Sequence, residues 1–157
     1  NHESQGITAE VVSVADGQVI PITEVSDQVF AEKMMGDGFG VIPDNTRVYS
    51  PVSGKVTKVF PTKHAIGLLS DEGVEVLVHM GLDTVELQGA PFTVSVTEGQ
   101  QVTKGDQLAL MDLAAIKEAG KDTTIVVVMT NTEQIDSFEL AKTGQQKAAA
   151  VVGIVKL

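Results

Sequence analysis

Two imidazoles carry the chemistry open to this chain. His79 ends the apolar run Val74-Glu75-Val76-Leu77-Val78 just before Gly81, and His64 stands fifteen residues upstream, at the start of Ala65-Ile66-Gly67-Leu68. A neutral imidazole nitrogen near pH 7 serves as nucleophile, proton shuttle or metal ligand. The third histidine, His2, lies in a polar N-terminal stretch and is assigned nothing. His64 and His79 converge on one site only if the strands beside them pair. A hydroxyl at Thr62 and a backbone carbonyl at Gly81 lie two residues from each ring, where they could occupy the other ring nitrogen and set the tautomer.

The elements that must position them are short. Runs rich in Val and Ile at 19–22, 48–52, 56–60, 65–69, 74–78, 93–96, 107–111, 124–129 and 151–155 read as strands. Between them stand turn signals such as Asp16-Gly17, Asp37-Gly38, Pro43-Asp44-Asn45, Asp71-Glu72-Gly73 and Lys104-Gly105. Only 113–119 and a turn at 28–34 read as helix; Asp112 is placed to cap the first and Gly120 to stop it. Many short strands with turns every eight to twelve residues imply an all-β, antiparallel sandwich or barrel.

The totals narrow the function. At 157 residues and 43% hydrophobic, the chain is long enough to bury one substantial core. Its longest apolar run falls well short of the roughly 20 residues of a membrane span, so no direct membrane insertion is expected. A net charge of −10 repels nucleic-acid phosphates and favours a partner with a basic face. The absence of cysteine excludes disulfides, thiolate metal sites and a cysteine nucleophile. Residues 1–6 are polar and expected to be disordered, leaving 7–157 as a single domain. A start at Asn1 rather than methionine leads to the expectation of a piece cut from a larger chain.

Two segments, Tyr49-Ser50-Pro51-Val52-Ser53-Gly54-Lys55-Val56 and Thr97-Glu98-Gly99-Gln100-Gln101-Val102-Thr103-Lys104-Gly105-Asp106, each place a tight turn between strands. This grammar resembles that of biotinyl and lipoyl carriers, some zinc peptidases and sugar-transport phosphocarriers, so the site residues must choose among three chemistries. A swinging-arm carrier needs a lysine at a hairpin tip with characteristic neighbours; Lys104 and Lys117 lack them and read as solvated surface residues. A zinc peptidase needs a third ligand, yet the His-x-His it would use is His79-Met80-Gly81 here, so no metal is expected. A phosphohistidine carrier needs a nucleophilic imidazole, in-line positioning and a donor for the equatorial oxygens, with no cofactor.

The run Gly73-Val74-Glu75-Val76-Leu77-Val78-His79-Met80-Gly81-Leu82-Asp83-Thr84-Val85 resembles the active-site segment of the glucose-class IIA domains of the bacterial phosphoenolpyruvate-dependent sugar phosphotransferase system. Similar in order and distance are Val25-Ser26-Asp27-Gln28-Val29-Phe30-Ala31-Glu32-Lys33-Met34-Met35-Gly36-Asp37-Gly38, Pro51-Val52-Ser53-Gly54, Phe60-Pro61-Thr62-Lys63-His64-Ala65-Ile66-Gly67 and Glu98-Gly99-Gln100-Gln101-Val102. The resemblance runs from about Gly17 to the C-terminus. It implies an all-β, antiparallel, barrel-like sandwich of the duplicated hybrid motif type with a few short helices.

It also implies roles. His79 would be phosphorylated on Nε2 while Nδ1–H donates to the Gly81 carbonyl. His64 would hold the phosphoryl oxygens, oriented by the Thr62 hydroxyl. Asp27 and Asp83 would flank the site and meet a basic partner. Phe30, Phe60, Ile66 and Met80 would form an apolar collar, with Val29 and Met34 nearby, that excludes water and docks partners. The donor would be the phosphocarrier HPr, and the acceptor a cysteine on a IIB domain of a sugar permease. Permeases or kinases that such a domain regulates would be further partners, and the location would be cytoplasmic, free or as part of a membrane permease. The competing reading is a regulatory domain, bound or fused to a permease and switched by its phosphorylation state.

Overall fold

The computed structural model describes residues 6–157; the disordered segment expected at 1–6 falls mainly on residues outside that range. The chain opens with β1 (Thr8–Val12) and β2 (Gly17–Pro21), a single 3-10 turn (Ile22–Glu24), then α1 (Gln28–Ala31). It continues through β3 (Asp37–Pro43), β4 (Arg47–Tyr49), β5 (Gly54–Val59), β6 (Ala65–Ser70) and β7 (Glu75–Leu82). A 3-10 turn (Thr84–Leu87) leads into β8 (Phe92–Val94), β9 (Gln101–Val102), β10 (Gln107–Met111) and α2 (Leu113–Glu118). After β11 (Asp122–Met129) and a last 3-10 turn (Thr132–Gln134) come β12 (Ser137–Leu140), β13 (Gly144–Gln146) and β14 (Val151–Lys156).

Every strand pairing among these residues is antiparallel. An eight-stranded sheet runs β13-β2-β3-β11-β7-β6-β5-β9, and two three-stranded sheets, β1-β14-β12 and β4-β10-β8, complete the structure. The expected all-β antiparallel architecture is therefore present.

The centre of the large sheet is β11, between β3 and β7. Its run Thr124-Ile125-Val126-Val127-Val128-Met129 shows no polar alternation because both faces are covered. Ile125, Val127 and Met129 enter the main core, and Val126 and Val128 enter a second cluster with Ile20, Ile22, Val25, Phe30 and Leu82. That second cluster glues the segment containing α1 onto the outer face of the sheet.

Strand β3 is absent from the apolar-run reading because Asp37-Gly38-Phe39-Gly40 resembles a turn. The structure explains those glycines by packing. A Cβ on Gly38 would lie 1.8 Å from the Val127 carbonyl oxygen, and one on Gly40 would lie 3.0 Å from Val25 Cγ2 and 3.1 Å from Ile20 Cγ1. Both serve close approach, the first to a neighbouring strand and the second to the side chains under α1. The short or polar strands β9, β12 and β13 also lie outside the expected runs, as does β1 (Thr8-Ala9-Glu10-Val11-Val12), and Ile22 belongs to a 3-10 turn rather than to a strand. Helix α2 is capped as expected, with Asp112 Oδ1 accepting from Ala115 N at 3.0 Å.

Candidate functional site

The site is built on one row of residues crossing five strands. Ile20 pairs with Gly40, Gly40 with Val126, Val126 with His79, and His79 with Ala65. Directly opposed residues in antiparallel strands project to the same face. The row therefore sets His79 on the outer face, beside the cluster that anchors Phe30. Alternation sends the next residues the other way: Ile66 and Met80 are fully buried in the main core. They support the sheet from beneath and present nothing at the surface, unlike the collar position expected for them.

Beyond His79 the strand ends in a sharp bend. Gly81 has φ +84° and Asp83 φ +59°, both left-handed. The bend turns the Gly81 carbonyl back to accept from His79 Nδ1–H at 2.7 Å. With Nδ1 holding the proton, the Nε2 lone pair is free.

His64 sits just before β6. Its carbonyl accepts from Met80 N at 2.7 Å, so the two histidine segments are stitched together. A turn closed by Lys63 N donating to the Phe60 carbonyl at 2.7 Å, with Lys63 at φ +57°, brings the Thr62 hydroxyl over the His64 ring. Thr62 Oγ1 and His64 Nδ1 are 2.5 Å apart. When the hydroxyl donates to Nδ1, the proton of a neutral His64 resides on Nε2, available to an anion.

The two rings stand edge to face, centroids 5.0 Å apart and planes at 76°. Phe60 flanks His64 at 5.4 Å and Phe30 flanks His79 at 5.0 Å, giving a continuous line of four rings. Lys58 Nζ lies 4.7 Å from the Phe60 centroid, a cation–π contact at the outer end. His64 is buried and His79 half-buried.

Burial pushes the pKa of both imidazoles below the ordinary value. For His64 burial is the larger cause and the neighbouring His79 adds to it. For His79 burial again dominates, opposed by the Gly81 hydrogen bond and by the charges of Asp27 and Asp83. Both rings are thus biased to the neutral form at pH 7.

Asp27 Oδ1 accepts from Val29 N at 2.9 Å and caps α1, while Asp83 precedes the 3-10 turn 84–87. Around them Val29 is 44% exposed and Met34 72%. Val85, two residues after Asp83, is 46% exposed and was not among the residues singled out from the sequence. In isolation Val85 reads as one more strand valine; only the 3-10 turn after Asp83 shows that it faces solvent. Among the described residues, no three His, Cys, Asp or Glu side chains are grouped to hold a metal ion.

Residues 9–135 match the family model of the phosphoenolpyruvate-dependent sugar phosphotransferase system, EIIA 1. The chain belongs to this family. It is 56% identical over 151 residues to the PTS system glucose-specific EIICBA component of Streptococcus pneumoniae serotype 4, covering 96% of this chain. The chain spans 21% of that relative's length. Among solved structures it is similar to the glucose permease IIA from Mycoplasma capricolum, with a TM-score of 0.84 and 39% identity over 94% of this chain and 96% of that one. No helix among this chain's described residues is long and apolar enough to cross a membrane.

Proposed function

We propose that this EIIA domain carries a phosphoryl group on His79 Nε2, between a phosphohistidine donor and a cysteine acceptor. The Nε2 lone pair attacks phosphorus as the donor's P–N bond breaks, and that electron pair returns to the donor imidazole. The Nδ1 proton stays on His79, held by Gly81, and stabilises the charge the ring acquires. His64 Nε2–H donates to an equatorial phosphoryl oxygen, with Thr62 holding its tautomer. In the second transfer a thiolate attacks phosphorus and the Nε2–P bond breaks. HPr is the proposed donor and a IIB domain of a sugar permease the proposed acceptor; this chain has no cysteine of its own to serve.

The observation carrying this reading is the pair of imidazoles at 5.0 Å whose Nδ1 atoms are engaged by Gly81 and Thr62. Asp27 and Asp83 raise the proton affinity of His79 and present negative charge to a basic partner. They also repel a phosphoryl dianion, which keeps the bound group transferable. Val29, Phe60 and Val85 offer exposed or half-exposed apolar surface to a partner, while Phe30, buried against His79, backs that ring, and Ile66 and Met80 lie in the core beneath it.

Intact mass after incubation with phosphoenolpyruvate, enzyme I and HPr tests the reading. Wild type and His64→Gln are expected to gain one acid-labile phosphoryl group, and His79→Gln none. In a second stage, phospho-His64→Gln is expected to fail in transfer to IIB. Absence of a phosphoryl gain in wild type would overturn the proposal.

A further inference from the structure

The Gly81 carbonyl can set the tautomer of His79 only if the bend that aims it is held in place. Gly81 itself is too permissive to do so, since its φ of +84° is one of several wells open to glycine. The restraint comes from Thr84. Its hydroxyl donates to the Met80 carbonyl at 2.6 Å, closing the bend from the residue before Gly81 to the first residue of the following 3-10 turn. The Thr84 side chain is fully buried, and its Cγ2 lies 2.4 Å from where a Cβ on Gly81 would be. The methyl therefore occupies the space beside Gly81 while the hydroxyl clamps the chain across it. From the other side, the Asp122 carbonyl oxygen lies 3.0 Å from the same point. It is supplied by an irregularity in β11, where Asp122 pairs with Leu82 but Ile125, rather than Thr124, pairs with Met80. Gly81 is thus packed between a side chain and a neighbouring strand.

Resting on the assignment of His79 as nucleophile, we infer that Thr84 is a positioning residue that locks the Gly81 carbonyl onto His79 Nδ1–H and so keeps Nε2 free to accept phosphorus. Thr84 acts through Met80 and Gly81, and the consequence is read on His79.

The direct readout is imidazole 15N–1H correlation spectroscopy of the unphosphorylated domain, which needs no phosphoryl donor. In wild type His79 is expected as the Nδ1–H tautomer alone. Thr84→Val keeps the branched shape but loses the donor; it is expected to show a mixture with the Nε2–H tautomer and a His79 titration midpoint moved to lower pH. Phosphoryl acceptance is expected to fall about fivefold to tenfold in turnover, with the donor KM unchanged. Thr84→Ser restores the hydroxyl and is expected to recover the wild-type tautomer and rate. It also keeps the test open if Thr84→Val does not fold. A folded Thr84→Val with wild-type tautomer and titration would overturn the inference, as would a Thr84→Ser protein with mixed tautomers. A tautomer shift in Thr84→Val together with no phosphorylation of wild-type His79 would support the clamp and overturn the carrier reading alone.

Discussion

His64 and His79 meet because Ala65, immediately after the first, is paired across the sheet with the second. One register position thereby decides the site. A shift of one residue between β6 and β7 would turn His79 into the main core and lift Met80 to the surface. The 5.0 Å separation of the rings is a property of sheet pairing, fixed further by the Met80 N–H bond to the His64 carbonyl.

The lowered pKa of both rings makes phosphoryl acceptance and stability depend on pH in the same direction. An unfolded imidazole takes up its proton near 6.5, before the folded rings do, so the unfolded chain gains protons first as pH falls. The stability contributed by the neutral pair is complete above about pH 7.5 and is lost as pH falls from 6.5 through the lowered folded values. Denaturant midpoints measured from pH 8 to pH 5 should be flat and then decline. In a His64→Gln, His79→Gln double variant the decline in this window should be smaller; an identical profile would contradict the assignment.

Asp27 and Asp83 can be neutralised with little structural penalty. Asn caps a helix as Asp does and tolerates left-handed backbone, so Asp27→Asn and Asp83→Asn should change stability by less than about 0.5 kcal/mol. Each carboxylate raises the His79 pKa, and the double variant should therefore titrate His79 at lower pH by NMR. The KM for a basic phosphoryl donor should rise about tenfold at low salt and less at high salt, because the attraction is screened. A KM independent of ionic strength in both proteins would remove the steering role.

Two glycines with left-handed backbone separate strain from crowding. Gly73 has φ +98° with nothing within 4 Å of an added Cβ, whereas Gly81 has φ +84° and meets Thr84 Cγ2 at 2.4 Å. Gly73→Ala should lose only the backbone term, about 1 kcal/mol. Gly81→Ala should lose at least about 1 kcal/mol more and also lose phosphoryl acceptance, since the carbonyl that faces His79 must move. Urea denaturation of the two variants side by side measures the difference.

Thr62→Val removes the hydroxyl facing His64 Nδ1 while preserving shape. His64 is then free to exchange tautomers, and its Nε2–H is no longer assured. Acceptance by His79 should survive, and onward transfer to a thiol acceptor should slow by about tenfold. Single-turnover kinetics of the two half-reactions would distinguish this from a general loss, in which both steps fall together.

Much of the site was legible in the sequence because its chemistry is local. His79 and Gly81 are two residues apart, as are Thr62 and His64, so both tautomer-setting contacts are within reach of a single turn. The same locality makes Asp112 legible as the cap of α2. The apolar runs located nine strands because Val and Ile cluster where both or one of the faces are buried. They overlooked β3, whose glycines are chosen by the Val127 backbone and by the Val25 and Ile20 side chains, all remote in sequence.

By itself, the sequence determined an acidic, cysteine-free, antiparallel β protein with two imidazoles each next to a tautomer-setting partner. Only the tertiary structure decided which apolar neighbours stand at the rings. Phe30 reaches His79 from α1 because Gly40 leaves room for Val25 and Ile20 on that face, whereas Ile66 and Met80, adjacent to the site in sequence, are sent inward. The physical reason is that side chains alternate across a strand, so facing requires knowledge of register, and register is set by pairings with residues distant along the chain.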